Sequence, residues 1–208
     1  MANAVDKEQI EMLSKWWSNY GKGILLAIVL ALFVVFGWRY WNEYKVNHQT
    51  AASGVYQGIF AAAEARDFAS IDKSVSLLKE KYSDTPYAAF GAMMAARLDV
   101  DANRIPAALD QLHWVIENAK VKSFKQIARL SMARILVSQK KYDAAQLMLA
   151  TLDDPSFKAY VDDVRGQLNV DKGDLSAAKL AFQSAKLGFQ DANMTDALVN
   201  MQLNAIER

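Results

Sequence analysis

Cysteine is absent from this sequence of 208 residues, and histidine and proline are scarce. Without a thiol the chain has no disulfide framework, no thiolate zinc site and no cysteine nucleophile. The two histidines, His48 and His113, lie far apart in the sequence and have no neighbours at metal-ligand spacing. The scarcity of proline, together with the lack of a Gly/Ser linker, favours helices. We therefore predict an all-α protein with no metal and no cofactor.

An excess of charge of one sign is also missing. The formal net charge is +1, and acidic and basic residues alternate along the chain, so the basic stripe of a nucleic-acid-binding surface is absent. Two acidic pairs stand out, Asp153-Asp154 and Asp162-Asp163. Nothing in the sequence gives them the divergent environments that an acid–base catalyst needs. We expect both pairs to be solvated helix ends or faces, and we expect no enzymatic activity.

One run of the sequence is apolar on every face. Residues 23–38 read GILLAIVLALFVVFGW, and eleven of the sixteen are Leu, Ile, Val or Phe. Each of these contributes about 0.3–0.6 kcal/mol at mid-membrane, so the run gains roughly 3–7 kcal/mol by inserting. The alternative is a buried helix in the core of a larger soluble protein. Such a helix does not need aromatic residues at both of its ends, whereas a membrane span does.

Aromatic and basic residues flank this run on both sides. Trp and Tyr concentrate at both membrane interfaces, and Lys or Arg can extend to the headgroups. We therefore predict a transmembrane helix over residues 23–41, preceded by a leader at 1–22. Three lysines before the span against two basic residues after it weakly favour a cytoplasmic leader. Bulky residues follow the run where a signal peptidase would need small ones, so we expect the helix to remain as an anchor. The predicted interface residues are Trp16, Trp17, Tyr20, Lys22, Trp38, Arg39, Tyr40 and Trp41.

The rest of the chain, residues 45–208, contains internal repeats. Segments 95–112, 132–149 and 165–182 align without gaps, at offsets within the range of helix-turn-helix repeats. The matched positions include an Ala-Ala pair in every segment, and the apolar residues on each side of the turn recur at helical spacing. One helix pair cannot bury its apolar face alone, so the pairs must stack. Residues 45–83 are expected to form one more, degenerate pair, and 194–206 a capping helix.

The third segment resembles a tetratricopeptide repeat (TPR). Its matching residues are Gly166, Gly173, Asp174, Leu175, Ala178, Phe182 and Ala185. The second segment keeps Ala133, Tyr142 and Ala145, and the first keeps Ala96 and Ala108. The string Lys172-Gly173-Asp174 reads as a helix stop followed by an N-cap. We therefore predict a TPR-like α-solenoid of helix hairpins on the C-terminal side of the anchor.

The resemblance to TPR domains implies a groove that binds peptides, lined by the first helix of each pair. Arginine there would hold a carboxylate or a backbone carbonyl, and aromatic residues would supply apolar contact. The alternative is that the apolar members belong to the core and the arginines are ordinary solvated residues. The motif's groove positions fall on Phe90, Met93, Arg97, Ile127, Leu130, Arg134, Tyr160, Asp163 and Gln167.

The whole chain also resembles the YfgM-type family, the ancillary subunits of the bacterial SecYEG translocon. The resemblance rests on the short polar leader, on the string Gly37-Trp38-Arg39-Tyr40-Trp41-Asn42 that ends the apolar run, and on the degenerate repeats at this length. It implies a bacterial inner membrane, a single-pass type II topology and a periplasmic repeat domain. It also implies association with a PpiD-type membrane-anchored foldase, with periplasmic chaperones and with translocating client proteins.

Two functions are compatible with this sequence. The first is a non-enzymatic adaptor at the SecYEG translocon, which passes emerging proteins to periplasmic chaperones. The second is a membrane-anchored regulator that sequesters a cytosolic signalling protein, such as a response regulator. The side of the membrane on which the repeat domain lies distinguishes the two.

The predicted anchor can be tested by placing a charge in its middle. Replacing Leu30 by Arg should cost about 3 kcal/mol of insertion free energy, because an arginine must be accommodated at the bilayer centre. We expect part of the protein to become extractable from membranes by alkaline carbonate, or its steady-state level to fall. Full retention of an abundant Leu30→Arg variant would contradict the assigned span.

Overall fold

The computed structural model describes residues 2–194 and 197–206, and it separates the chain into two compact units, residues 1–50 and 51–208. Side chains at positions 2–11, 13, 15, 24, 27 and 28 lie outside this description. Most of the predicted leader and part of the predicted span therefore fall outside the described side chains. The sequence predicts that the repeat domain starts at position 45, and the second unit begins six residues later, at Ala51.

A single helix, α1 (Ala2–Glu64), contains all of the described first unit. Consecutive apolar side chains from Val29 to Phe36 are exposed on it, as are Trp16, Trp17, Tyr20, Trp38, Tyr40 and Trp41. Over the part of the chain that the structure describes, no helical stretch combines the length and the hydropathy that a bilayer crossing requires.

The second unit is built entirely of helices over its described residues, as the sequence predicts. After α1 come α2 (Phe68–Lys81), α3 (Pro86–Asp101), α4 (Ile105–Asn118), α5 (Lys122–Ser138), α6 (Tyr142–Ala150), α7 (Lys158–Lys172), α8 (Leu175–Asp191) and α9 (Ala197–Ile206). A single 3-10 turn, Pro155–Phe157, precedes α7. The three aligned sequence segments span the turns of the hairpins α3–α4, α5–α6 and α7–α8, together with the adjoining parts of both helices. The end of α1 and α2 supply a further pair, and α9 follows the last one.

The three hairpins turn in the same way. Asn103, Lys140 and Gly173 occupy equivalent positions, and each has a positive φ, of 58°, 57° and 82° respectively. In each turn the next residue donates its backbone N–H to a carbonyl five residues back, as from Asp174 to Asn169 at 2.9 Å. This is the Schellman closure of a helix. Asp174 then accepts a hydrogen bond from the backbone N–H of Ala177 and so caps α8, which confirms the predicted stop and cap.

The paired helices meet across small residues. The second alanine of each Ala-Ala pair, at positions 108, 145 and 178, is fully buried, whereas the first is more exposed. In the last pair, a Cβ added at Gly166 would overlap the ring of Phe182, so α7 and α8 are in contact there. These packed seams form three overlapping cores, which run from α1 to α5, from α5 to α7 and from α7 to α9. The repeats therefore stack as the sequence predicts.

The seam of the last pair gives a direct test of this register. A leucine at position 178 adds three carbons where the helices leave no room, and overpacking of this kind costs about 1–3 kcal/mol. The melting temperature of the domain from Lys45 to Arg208 should fall by several degrees for Ala178→Leu and change little for Ala177→Leu. Equal effects at the two sites would contradict the assigned packing of α8 against α7.

A second test uses Lys140, which adopts the left-handed conformation between α5 and α6. An L-residue with a side chain pays about 1–2 kcal/mol there, and glycine avoids this cost but loses part of the gain to chain entropy. Lys140→Gly should therefore raise the free energy of unfolding by roughly 0.5–1 kcal/mol. At the preceding residue, Gln139, φ is −87°, so Gln139→Gly should lower it instead. Denaturant titration measures both, and a loss for Lys140→Gly would refute the assigned turn.

Candidate functional site

Two cavities open side by side on the first helices of the repeat pairs. The first has a volume of about 330 Å³ and lies between α3 and α5, and Leu112 of α4 contributes to its lining. Its lining is mainly apolar, from Met93, Val100, Ile127 and other side chains. Two arginines, Arg97 and Arg134, also line it. It is therefore an apolar recess bordered by positive charge.

The second cavity has a volume of about 450 Å³ and lies between α5, α7 and α9. Its lining contains carboxylates and amides, which the lining of the first cavity lacks among the described residues. The residues around it are Arg134, Val137, Ser138, Asp163, Val164, Gln167, Asp171, Leu198 and Gln202. Arg134 and Ser138 line both cavities. We refer to the two cavities together as the groove.

Six of the nine residues that the TPR resemblance assigns to a groove do line these cavities. Met93, Arg97 and Ile127 lie in the first, and Asp163 and Gln167 lie in the second. Arg134 contributes to both. Their placement follows from the repeat: equivalent positions on α3, α5 and α7 face the same side of the stack. Whether this side binds a peptide remains a prediction.

The other three predicted residues lie elsewhere. Leu130 is buried among the side chains of the middle core and offers almost no surface. Phe90 is 36 % exposed and packs against Phe124 with tilted rings, whose centroids are 4.9 Å apart, within a cluster that also contains Tyr56 and Tyr87. Tyr160 packs edge-on against Phe189 at 5.0 Å. These rings join neighbouring helices, as the alternative interpretation of the apolar positions supposed.

The acidic pair Asp162-Asp163 is buried, so the expectation of a solvated pair is wrong there. Asp162 is 6 % exposed and accepts hydrogen bonds from Lys158 at 2.5 Å, Ser184 at 2.7 Å and Arg165 at 3.3 Å. It therefore ties α7 to α8. The pair Asp153-Asp154 does lie at helix ends, since Asp154 caps the short turn before α7. The sequence pattern does not distinguish the two pairs, because Lys158 and Arg165 lie at ordinary helical spacing from Asp162, and the contact with Ser184 on α8 leaves no local signal.

Asp163 has a different environment. Its Oδ2 accepts from Arg134 across the two helices at 3.3 Å, while its Oδ1 is buried and has no hydrogen-bond partner among the described residues. Burial raises the pKa of this carboxyl above its usual range, and the positive charge of Arg134 partly opposes that rise. Arg97, which lines the first cavity, pairs instead with Asp101 outside that cavity, and both side chains of this pair are exposed. The two arginines of the groove thus have unequal roles.

Sequence reasoning missed the contribution of the last helix. Leu198 and Gln202 of α9 close one side of the second cavity. The sequence predicts residues 194–206 only as a capping helix of the repeats, because this stretch carries no repeat motif that would assign its positions to a groove. The four-residue spacing of Leu198 and Gln202 places them on one helix face, which was the available signal.

Comparison with known proteins defines the class. A family model described as a tetratricopeptide repeat-like domain matches residues 14–208, and this chain belongs to that family. The repeats in the sequence, the aligned turns and the buried alanines are the structural features that the family membership leads one to expect. No solved structure matches the chain.

Several curated proteins are similar over most of their length, which confirms the resemblance found in the sequence. The chain is 28% identical over 169 residues to the ancillary SecYEG translocon subunit of Escherichia coli (strain K12), covering 81% of each chain. It is 29% identical over 155 residues to the protein of that name from Neisseria gonorrhoeae, covering 74% of this chain and 73% of the relative. A Haemophilus influenzae protein of the same name is 26% identical over 175 residues, covering 84% and 85%.

Removal of Arg134 should leave the buried carboxylate of Asp163 without its positive partner. We expect Arg134→Met to lower the free energy of unfolding by about 1–2 kcal/mol at neutral pH. Loss of the positive charge raises the pKa of Asp163 further. The difference in stability should therefore shrink as the pH falls and this carboxyl becomes protonated in the folded state of both the wild type and the variant. Arg97→Met, which removes a pair exposed on both sides, should cost less than about 0.5 kcal/mol. A deficit that is independent of pH, measured by denaturant titration, would contradict this account.

Proposed function

We propose that the protein is a non-enzymatic, membrane-anchored adaptor of the SecYEG translocon, whose repeat domain binds segments of other proteins in the groove. The observation that carries the proposal is the pair of adjoining cavities on the first helices of the repeats. It gains support from relatives that are named ancillary SecYEG translocon subunits. The regulator of a cytosolic signalling protein gains no such support from the relatives.

The chemistry of the groove suits an extended polypeptide. The first cavity offers Met93 and Ile127 to an apolar side chain, and Arg97 and Arg134 border it with donors for backbone carbonyls or carboxylates. Ile127 is 40 % exposed although it lies on a packed helix. An apolar recess with a few convergent polar groups is the usual form of a ligand site. Contacts of this kind are weak and tolerant of sequence, which suits a protein that meets many clients.

The anchor is the second part of the proposal. We place a membrane span at residues 23–41, with the leader in the cytoplasm and the repeat domain in the periplasm. The exposed apolar side chains from Val29 to Phe36 point in every direction around α1, and such a helix requires apolar surroundings on all sides. The aromatic residues on both flanks, among them Trp16 and Trp41, would lie at the two interfaces.

Anchoring would make weak binding sufficient. A domain tethered next to the translocon exit meets an emerging chain at an effective concentration of about the millimolar range. The same tether would hold the domain near a PpiD-type foldase and periplasmic chaperones, to which clients would pass. In this arrangement the anchor supplies proximity and the groove supplies contact.

The proposal is tested by purifying the full chain from gently solubilised membranes, with a substitution in the groove and a matched one outside it. Ile127→Glu places a charge in the first cavity, whereas Leu147→Glu changes a leucine that is 72 % exposed on α6 and lines neither cavity. We expect translocon subunits to copurify with both variants, because the anchor is intact. Client proteins should be recovered in lower yield only with Ile127→Glu.

Three results would contradict the proposal. Absence of translocon subunits, under conditions that keep the translocon itself intact, would remove the assigned location. Equal client recovery from the two variants would show that clients do not bind in the groove. A reporter fused after Arg208 that is active in the cytosol and silent in the periplasm would reverse the topology.

A further inference from the structure

Two residues that line the second cavity each have a buried acceptor atom with no hydrogen-bond partner among the residues that the structure describes. These atoms are Oδ1 of Asp163 on α7 and Oε1 of Gln202 on α9. Both residues line the cavity, from helices on different sides of it. A buried acceptor without a donor costs about 1–3 kcal/mol, and more when it is charged. Two such residues around one recess point to a ligand that brings donors.

The direction of the neighbouring hydrogen bonds confirms that Gln202 presents an acceptor. The amide nitrogen of Gln167 donates to Oδ1 of Asp171 at 3.1 Å, and an ionised carboxylate can only accept. The carbonyl oxygen of Gln167 must therefore face away from Asp171. It accepts from the amide nitrogen of Gln202 at 3.3 Å, which leaves the oxygen of Gln202 unpaired.

The charges around the cavity favour a cation. Asp163 and Asp171 are both acidic, and Arg134 is the one basic residue among the described residues of the lining, so these side chains leave a negative charge in excess. Arg134 occupies only one of the two oxygens of Asp163, at 3.3 Å. In the first cavity the signs are reversed, because Arg97 and Arg134 line it without an acidic residue. The groove is thus polarised along its length, with Arg134 between the two halves.

We propose that the second cavity binds an arginine side chain of the polypeptide held in the groove. This inference rests on the proposed function and extends it by one specific contact. A guanidinium carries five donors and no acceptor, so one group satisfies Oδ1 of Asp163 and Oε1 of Gln202 together. The lysine ammonium is a compact point charge that cannot present a planar fork to two acceptors, and binds here more weakly. Leu198 provides an apolar surface against which the aliphatic part of the arginine packs.

The same geometry places an apolar residue of the ligand in the first cavity. A segment that fills both cavities therefore contains an apolar side chain and an arginine within a short distance of each other. Its apolar side chain contacts Ile127 and its arginine lies beyond Arg134, next to Asp163. Arg134 remains paired with Oδ2 of Asp163 and does not compete for Oδ1.

The test measures binding of short fluorescent peptides to the purified full chain by anisotropy. The probe is a flexible peptide of glycine and serine that contains leucine and arginine. In the reference peptide citrulline, a neutral group of nearly the same shape, replaces arginine. We expect the citrulline peptide to bind about tenfold more weakly, as loss of a charge-assisted hydrogen bond predicts. A lysine peptide should fall between the two.

Variants of the chain locate the contact. Asp163→Asn removes the charge, and Gln202→Met removes the acceptor at nearly constant volume, so each should reduce the preference for arginine over citrulline severalfold. Asp110→Asn changes an exposed residue of α4 that lines neither cavity, so it is the control and should leave the preference unchanged. Thermal melts show whether each variant is folded, and Gln202→Met keeps the test open if Asp163→Asn is not.

The outcomes separate this inference from the proposed function. Equal binding of the arginine and citrulline peptides, both weakened by Ile127→Glu, would overturn the arginine site but retain the groove. A preference for arginine that persists in both Asp163→Asn and Gln202→Met would assign it to another surface and also overturn the site. Absence of binding by any of the peptides would overturn the groove and the arginine site together.

Discussion

The repeat domain depends on how closely its paired helices approach one another. Fully buried alanines at positions 108, 145 and 178 occupy equivalent places in three hairpins, and in the last pair Gly166 leaves room for the ring of Phe182. A larger side chain at any of these seams would separate the helices and disturb the stacking of the next pair, because each pair buries its apolar face only against its neighbours. The spacing of α3, α5 and α7, and with it the width of both cavities, follows from these contacts.

The groove shows how one repeated scaffold presents different chemistry at each position. Equivalent sites on α3 and α5 carry Arg97 and Arg134, but only Arg134 meets a buried carboxylate, since Asp163 on α7 lies across from it. The packing that fixes the helices therefore also fixes the polarity of the groove. Its apolar, positively bordered half and its acidic half adjoin at a single arginine. The two halves of the groove thus differ in charge, and the proposed peptide ligand would have a defined direction along them.

Much of the fold could be predicted from the sequence, because helical periodicity, the Ala-Ala pairs and the string Gly173-Asp174 are local signals. The register was predictable for the same reason: the alanine at 178 is buried and the one at 177 is more exposed. The groove was predictable only in part. Leu130 belongs to the core, Asp162 and Asp163 are buried by partners from other turns and helices, and Gln202 comes from a helix without a repeat motif. Such contacts between distant segments leave no periodic trace in the sequence. The predicted span at residues 23–41 rests on its hydropathy and flanks, and it remains a proposal.

The central claim is that the groove contacts polypeptides as they leave the translocon, and site-specific photocrosslinking in membranes tests it most directly. A photoreactive residue replaces Ile127 inside the first cavity or, in a parallel strain, the exposed Leu147 on α6. A radiolabelled secretory precursor is then arrested during translocation and irradiated. The account predicts a crosslink to the precursor from position 127 and none above background from position 147. Equal crosslinking from both positions, or none from position 127 while the precursor is arrested in the channel, would contradict it.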